Sequence, residues 1–499
     1  MIENHLSLLI VVLPLLAAPI VAVLPNGRMP WSISTLVSWA VFAMACIQLI
    51  NVSTGSVISY ELGGWAPPWG IEYRIDAANA LVALIVSGIA AVTLPYALKS
   101  VEQEIPKHQH SLFYAAFMLC FTGLLGITLT GDIFNLFVFL EISSLSSYAL
   151  ISLGKQRQAL TASYQYLIMG TIGATFFIIG VGLLYAMTGT LNMMDLSQRL
   201  PELYEHRTIH TAFAFIMVGF ALKLALFPLH LWLPNAYTYA PTVVTVFLAA
   251  TATKVAVYVM LRVIFSVFGF TFIEDTPTDE LFMILCVVGI LMMSFYAIYQ
   301  QDAKRLLAYS SVAQIGYMML GIGIGSALGI TATLVHLFNH ALMKGALFMA
   351  IGAIVYQIGS SRIEHMQGLG KHMPWTFAAI VIGGLSLIGV PGTAGFISKW
   401  YLVLAAIEKQ HWLIVIVILA GSLLAVIYVW KLVEVLYFKP ADESGQTVSN
   451  QLTSRKEAPL MLLIPTWILV VANVYFGFNT ELTVGTAEQA VKLLLPSMN

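Results

Sequence analysis

Apolar runs of about twenty residues, separated by short polar breaks, fill the chain from end to end. They lie near 6–25, 31–50, 76–97, 111–130, 132–153, 160–189, 211–238, 241–268, 281–300, 306–325, 330–357, 375–407, 411–438 and 458–478. A helix needs ~20 apolar residues to cross a bilayer core, so the pattern predicts an all-α polytopic membrane protein of about fourteen transmembrane helices. No break is long enough to separate domains, so residues 1–499 form one membrane domain. The 51–75 stretch reads as an ordered loop or hairpin, because Gly63–Gly64 and Pro67–Pro68 are turn residues flanked by β-formers. The run Leu6–Leu24 reads as the first span: Met1–His5 carries Glu3 and lacks the basic residues of a signal peptide.

Composition supports the same class. Hydrophobic residues make up 59% and charged residues 9%, against ~25% charged in soluble domains, which excludes a soluble protein. The net charge of −1, from 23 basic and 24 acidic residues, excludes a nucleic-acid binder that relies on a basic surface. Cys46, Cys120 and Cys286 lie in apolar stretches with no spacing for zinc, an iron–sulfur cluster or a disulfide framework. Basic loop residues set orientation. One set of loops holds twelve, including Lys155, Arg157, Lys304, Arg305, Arg455 and Lys456. The other set, with the C-terminal tail, holds five: Arg74, Arg199, Arg207, Lys409 and Lys492. The richer set should face the cytoplasm, which puts both termini outside. The break at 269–280, with Glu274, Asp275, Asp279 and Glu280 and no Lys or Arg, falls on that outer side.

Six basic residues remain inside the spans. Arg262 and Lys431 sit near span ends, where long side chains snorkel to the interface. Lys223, Lys254, Lys344 and Lys399 are mid-span, and each would cost ~2.5–3.5 kcal/mol if charged and unpaired. Leu or Met would fill the same space more cheaply, so these lysines point to function. One clear deep acid accompanies them, Glu141, nine residues past Asp132 and so ~13 Å along the helix. Ser143, Ser144, Ser146 and Ser147 offer hydroxyls that can hold a water or orient the carboxylate. An ammonium out of water holds its proton less tightly, and opening a Glu141–Lys223 pair would gate its transfer.

Pro228 and Pro234 should break the span just beyond Lys223. Pro391–Gly392 and Gly395 should break a second span just before Lys399. Broken helices at membrane depth belong where backbone lines protein or a hydrated cavity. The two breaks lie five spans apart and so run in opposite directions, the pattern of inverted repeats. The first repeat then covers about 111–268 and the second about 281–438, between spans at 6–97 and a last span at 458–478. No residue-by-residue repeat is visible.

His336, His340 and Lys344 recur at four-residue spacing, which places them on one helix face. Histidine ordinarily titrates near ~6.5, which suits proton relay, and Gln314 and Asn339 can hold intervening waters. No acidic or sulfur ligand accompanies the histidines, so no metal is expected. GIGIGSALG at 321–329 lacks the third glycine of a dinucleotide fingerprint. Gly321, Gly325 and Gly329 read as small residues for close packing. Without Walker, haem or flavin signatures, neither a cofactor nor a self-contained enzyme is expected.

The segments LTGDIFNLFVFLEISSLSSYALI, KLALFPLHLWLPNAYTYAP, QQDAKRLLAYSSVAQIGYMMLGIG, HLFNHALMKGALFMAIGAI and GVPGTAGFISKWYLV resemble the antiporter-like subunits shared by respiratory complex I, membrane-bound hydrogenases and Mrp-type sodium/proton antiporters. ELGGWAPPWGIEYRIDAANALVALI and GTLNMMDL look most like the D-type member of the Mrp antiporter. The resemblance implies fourteen helices with two inverted five-helix repeats and a proton path along the membrane centre. It implies Glu141 and Lys223 as an ion pair, Lys254 as a central relay lysine, His336, His340 and Lys344 on a relay helix, and Lys399 as the terminal charge. Some complex I members carry glutamate at that last position. The chain ends about 21 residues after its last span, which argues against the long complex I end subunit and the large A-type Mrp protein. The expected function is a proton-translocating subunit of a multisubunit sodium/proton antiporter in the cell membrane. Its partners are other subunits, protons, sodium ions and the lipid bilayer. The alternative is the same module in complex I or a membrane hydrogenase, with catalysis in other subunits.

Overall fold

A computed structural model describes residues 5–440 and 457–495. Glu3, used in reading the first span, and Arg455 and Lys456, used in the orientation count, lie outside the described residues. Among the described residues thirteen helical segments are long and apolar enough to cross a membrane. They include α1 (Leu6–Val23), α2 (Arg28–Val52), α3 (Ala77–Glu104), α4 (His110–Leu129), α5 (Ile133–Ser152), α6 (Gln158–Thr188), α8 (Arg207–Leu224), α13 (Thr278–Ile298), α14 (Ala303–Gly323), α15 (Ala327–Ile358) and α18 (Trp412–Val433). Two short helices, α7 (Met193–Arg199) and α12 (Phe270–Glu274), lie in the connections. The run predicted as one span at 375–407 is instead two helices, α16 (Pro374–Ile388) and α17 (Ala394–Glu408). Each has 15 residues and reaches ~22 Å, short of the ~30 Å apolar core. Between the second and third spans, β1 (Ile58–Glu61) pairs antiparallel with β2 (Glu72–Ile75), Ile58 opposite Ile75. The hairpin turns on Gly63 and Gly64, both at positive φ.

The interior is organised around α15. Every residue from Gly329 to Ile354 is buried; a helix apolar on all faces belongs in the core of a large bundle. The neighbouring α14 approaches it closely because Gly321 and Gly329 face each other: a Cβ on either would meet the other's carbonyl oxygen at 2.5 Å. Gly325 serves a different end. It takes φ +61° in the turn between the helices.

The same clasp is built twice, 170 residues apart. Asp132 caps the start of α5 by accepting from Asn135 N at 2.7 Å, and Asp302 caps α14 by accepting from Arg305 N at 3.0 Å. Ile133 N bonds Leu191 O and Met193 N bonds Gly131 O, each at 2.9 Å; Ala303 N bonds Ser361 O at 2.8 Å and Ile363 N bonds Gln301 O at 2.9 Å. The long helices α6 and α15 end alike, on left-handed Gly189 and Gly359. A π-helical turn closes each unit, at Val263–Phe268 and Glu434–Phe438. The repetition lives in caps and turns, which is why it leaves little trace in the apolar sequence between them.

Three spans are broken. α8 stops at Ala225, a left-handed non-glycine residue (φ 61°, ψ 44°), a conformation that costs an L-residue ~1–2 kcal/mol. The chain turns through 225–231, and a short α9 (Trp232–Tyr239) follows. Pro228 lies in that turn. Pro234 instead occupies the first turn of α9, where a missing N–H costs nothing. α16 stops on left-handed Gly389 in the corresponding way. Gly395 does not break the chain: it sits inside α17, and its Cβ would meet Ser386 O at 1.8 Å, so it permits the two halves to touch. The third break was not expected. α10 (Thr242–Ala250) and α11 (Ala252–Arg262) are separated at Thr251 (φ −125°, ψ −59°) without proline or glycine.

Gly395→Val should therefore cost ~1–3 kcal/mol through overpacking and lower the Tm in detergent. Gly182→Ala, with open space around its Cβ site, should leave the Tm unchanged.

Candidate functional site

All four mid-span lysines are buried, at 0–8% exposure. Lys223 sits two residues before the α8 break. Its ammonium donates to Ser144 Oγ at 2.7 Å and lies 3.8 Å from Glu141 Oε1. The pair is thus in contact, but a serine holds the closer bond. Ser143, Ser146 and Ser147 bond backbone carbonyls one turn back. Glu141 is 28% exposed on a face of α5 that also exposes Phe134, Val138 and Leu145. Its Oε1 is nonetheless buried and has no hydrogen-bond partner. The carboxylate therefore lies at the edge of this chain rather than deep inside it.

Lys254 follows the Thr251 break and reaches back one turn. It donates to the carbonyl of Ala249, an end-of-helix oxygen that α10 leaves free, and to Thr253 Oγ1 at 3.4 Å. Between Lys223 and this break lies a cavity of about 40 Å³, lined among others by Ser143, Ser144, Lys223, Tyr237 and Thr253. A water needs ~10–15 Å³ and two to four polar partners, so the space is large enough for water beside Lys223, Ser144 and Thr253, although leucines, valines and aromatic rings line much of it.

His336, His340 and Lys344 all point into the core from α15. His336 is fixed by Ser398 Oγ at 2.7 Å and Gln314 Oε1 at 3.0 Å. Its ring stacks on His340, with centroids 5.7 Å apart and planes 7° from parallel. Neither nitrogen of the fully buried His340 has a partner among the described residues. Lys344 donates to Leu307 O at 2.9 Å and to Ser310 Oγ. Gln314 thus bonds His336 directly, and Asn339 donates to Ala394 O at 2.6 Å while its buried Oδ1 has no partner among the described residues.

Lys399 reaches back across the α16–α17 break. Its ammonium donates to Leu387 O at 3.1 Å, Ile388 O at 2.9 Å and Ser422 Oγ at 3.0 Å, with the Tyr317 ring centroid 5.0 Å away. The first two acceptors are the last carbonyls of α16, where the helix dipole favours a cation. Asn473 on the last span (Leu460–Phe478) accepts from Ser386 at 3.0 Å, and Ser386 in turn receives Gly395 N at 3.2 Å. These links fix the break that Lys399 caps.

Among the described residues no carboxylate comes within 4.0 Å of Lys254, Lys344 or Lys399; Glu141 alone pairs with a mid-span lysine. Two residues read as interfacial anchors are otherwise employed. Arg262 is half-buried and bound through two nitrogens to Asp76 at 2.8 Å each. Lys431 donates to Ile298 O and Gln300 O at the end of α13. Lys304, counted as a loop residue, is buried with its ammonium on Ala240 O at 3.3 Å. Helix ends supply the partners in each case, and a helix end created by folding is invisible to a hydropathy pattern. Ser398, Ser422 and Asn473 were missed because a lone serine or asparagine in a span carries no signal by itself.

The fold and site together define an integral membrane protein whose interior carries a row of protonatable side chains beside broken helices. Residues 130–425 match the family described as NADH:quinone oxidoreductase/Mrp antiporter, transmembrane region, and the chain belongs to that family. It is 39% identical to the N subunit of the NADH-quinone oxidoreductase of Desulforudis audaxviator over 99% of both chains. It is 30% identical to the D subunit of the Na(+)/H(+) antiporter of Alkalihalophilus pseudofirmus over 96% of this chain and 94% of that one. The fold is shared with a chain of the Mrp complex from Dietzia sp. DQ12-45-1b at a TM-score of 0.90 and 26% identity, covering 100% and 98%.

The two histidines should respond oppositely to removal. His336→Leu loses two buried partners and should cost ~1–3 kcal/mol, whereas His340→Leu replaces an unpaired polar ring and should be neutral or stabilising. Tm values of the purified protein check this; a clear loss in His340→Leu would show that a water satisfies the ring.

Proposed function

We propose that this chain is the proton-translocating membrane subunit of a multisubunit sodium/proton antiporter. One observation carries the reading. Lys254 and Lys399 sit beside broken helices and are held by neutral oxygens rather than by carboxylates. A lysine locked in a buried salt bridge is costly to unpair, whereas one resting on carbonyls and hydroxyls can lose its proton without leaving a buried charge behind. The order of the groups supports a path from Glu141–Lys223, through the small cavity that reaches Thr253 beside Lys254, along His340 and His336, to Lys399. Lys344 lies on the same stripe as a side station. In this reading Lys399 is the outlet, both termini face outward as the loop charges indicate, and sodium crosses in a partner subunit.

Glu141 supports membership of a larger assembly. A carboxylate at mid-membrane on an apolar outer face would be costly against lipid, so a neighbouring subunit covers it. The chain is then a transporter subunit without catalytic chemistry of its own. A second reading is the same role in a redox-driven complex, favoured by the 39% identity to a subunit named for NADH–quinone oxidoreductase. The subunits that co-purify from native membranes separate the two.

Glu141→Gln and Lys223→Ala should each abolish sodium-linked proton exchange in everted vesicles while the complex stays assembled. Near wild-type exchange in either variant would refute the gate. Lys254→Arg should also lose most activity, because a guanidinium keeps its charge up to a pKa of ≳12 and cannot hand on a proton. For Lys399, the Ala and Met variants should slow exchange and the Glu variant should retain some of it. A fully active Met variant would remove this lysine from the path.

A further inference from the structure

Lys254, Tyr258 and Arg262 follow at four-residue spacing on α11 and so share one face. That face runs from the centre of the membrane toward the side on which α3 begins and α4 ends, the outer side by loop charge. There it meets a cavity of about 450 Å³, whose lining includes the polar groups of Arg74, Asp76, Asn79, Thr130, Tyr258 and Arg262 among apolar side chains. Only one helical turn, ~6 Å of rise, separates Lys254 from the Tyr258 position at the cavity wall. A proton arriving at Lys254 would thus stand close to an exit that bypasses the histidines and Lys399.

The three groups across that gap are committed. Arg262 donates to both oxygens of Asp76 at 2.8 Å and, through Nε, to the Tyr258 hydroxyl at 3.2 Å. Tyr258 donates its own proton to Thr128 O at 3.1 Å. Asp76 also accepts from Ala78 N at 3.0 Å and Asn79 N at 3.2 Å. A guanidinium does not release its proton, a backbone carbonyl cannot pass one on, and the carboxylate is already filled with donors.

We propose that Tyr258, Arg262 and Asp76 form a proton-tight seal between Lys254 and the outer cavity, so that protons at Lys254 are confined to the route through α15. The proposal rests on Lys254 carrying protons. They are positioning residues: they close a path rather than carry one.

The test uses the whole complex in sealed liposomes under an imposed pH gradient, with no sodium gradient, and reads passive proton leak by a trapped pH dye. Asp76→Asn with Arg262→Gln removes both charges together and avoids stranding either. This double variant should leak several-fold faster than wild type, and adding Lys254→Met should restore tightness. A double variant as tight as wild type, or a leak that survives Lys254→Met, overturns the seal. If the double variant does not assemble, Tyr258→Ser should leak and Tyr258→Phe, which keeps the ring, should not; equal tightness in both overturns the proposal. Sodium-driven exchange by the wild type in the same liposomes tests the transport reading separately.

Discussion

A broken helix leaves carbonyl oxygens with no amide to accept from, and in this protein lysine ammonium groups fill those places. Lys399 caps α16 and Lys254 caps α10. Lys431 and Lys304 do the same for α13 and for the end of α9. The arrangement solves two problems at once. The carbonyls gain donors in a region without bulk water, and the ammonium gains acceptors without a counter-charge. Each such contact draws on the partial negative charge of a helix C-terminus, worth ~0.3–2 kcal/mol, which is far weaker than a desolvated ion pair. The lysines are held firmly enough to be placed and loosely enough to change state.

The scaffold is duplicated but the chemistry is not. The caps at Asp132 and Asp302, the clasps after α6 and α15, and the left-handed stops at Ala225 and Gly389 correspond. Yet Lys223 precedes its break while Lys399 follows its own. In the first unit the ammonium meets a serine and a glutamate; in the second it meets the freed carbonyls. Two equivalent frames thus hold charges of different character.

Much of this is legible in the amino-acid sequence. The thirteen to fourteen candidate crossings among the described residues follow from apolar run length, and the unusual buried lysines stand out because each is costly in a bilayer. The break after Lys223 is signalled by nearby prolines, although Ala225 ends the helix. The Thr251 break has no such signal, since neither proline nor glycine marks it. The Arg262–Asp76 pair joins residues 186 positions apart, and each alone reads as an ordinary span-end charge. Burial also separates look-alikes: Glu141 reads as a deep acid, but its face of α5 is open in this chain.

The central claim is that buried lysines change protonation as the protein transports. Infrared difference spectra of the reconstituted complex, taken before and during transport in water and heavy water, with lysines labelled by nitrogen-15, address it directly. The account predicts isotope-sensitive ammonium bands that appear during transport and vanish in the Lys254→Met protein. Transport at full rate with no lysine band in the difference spectrum would contradict it.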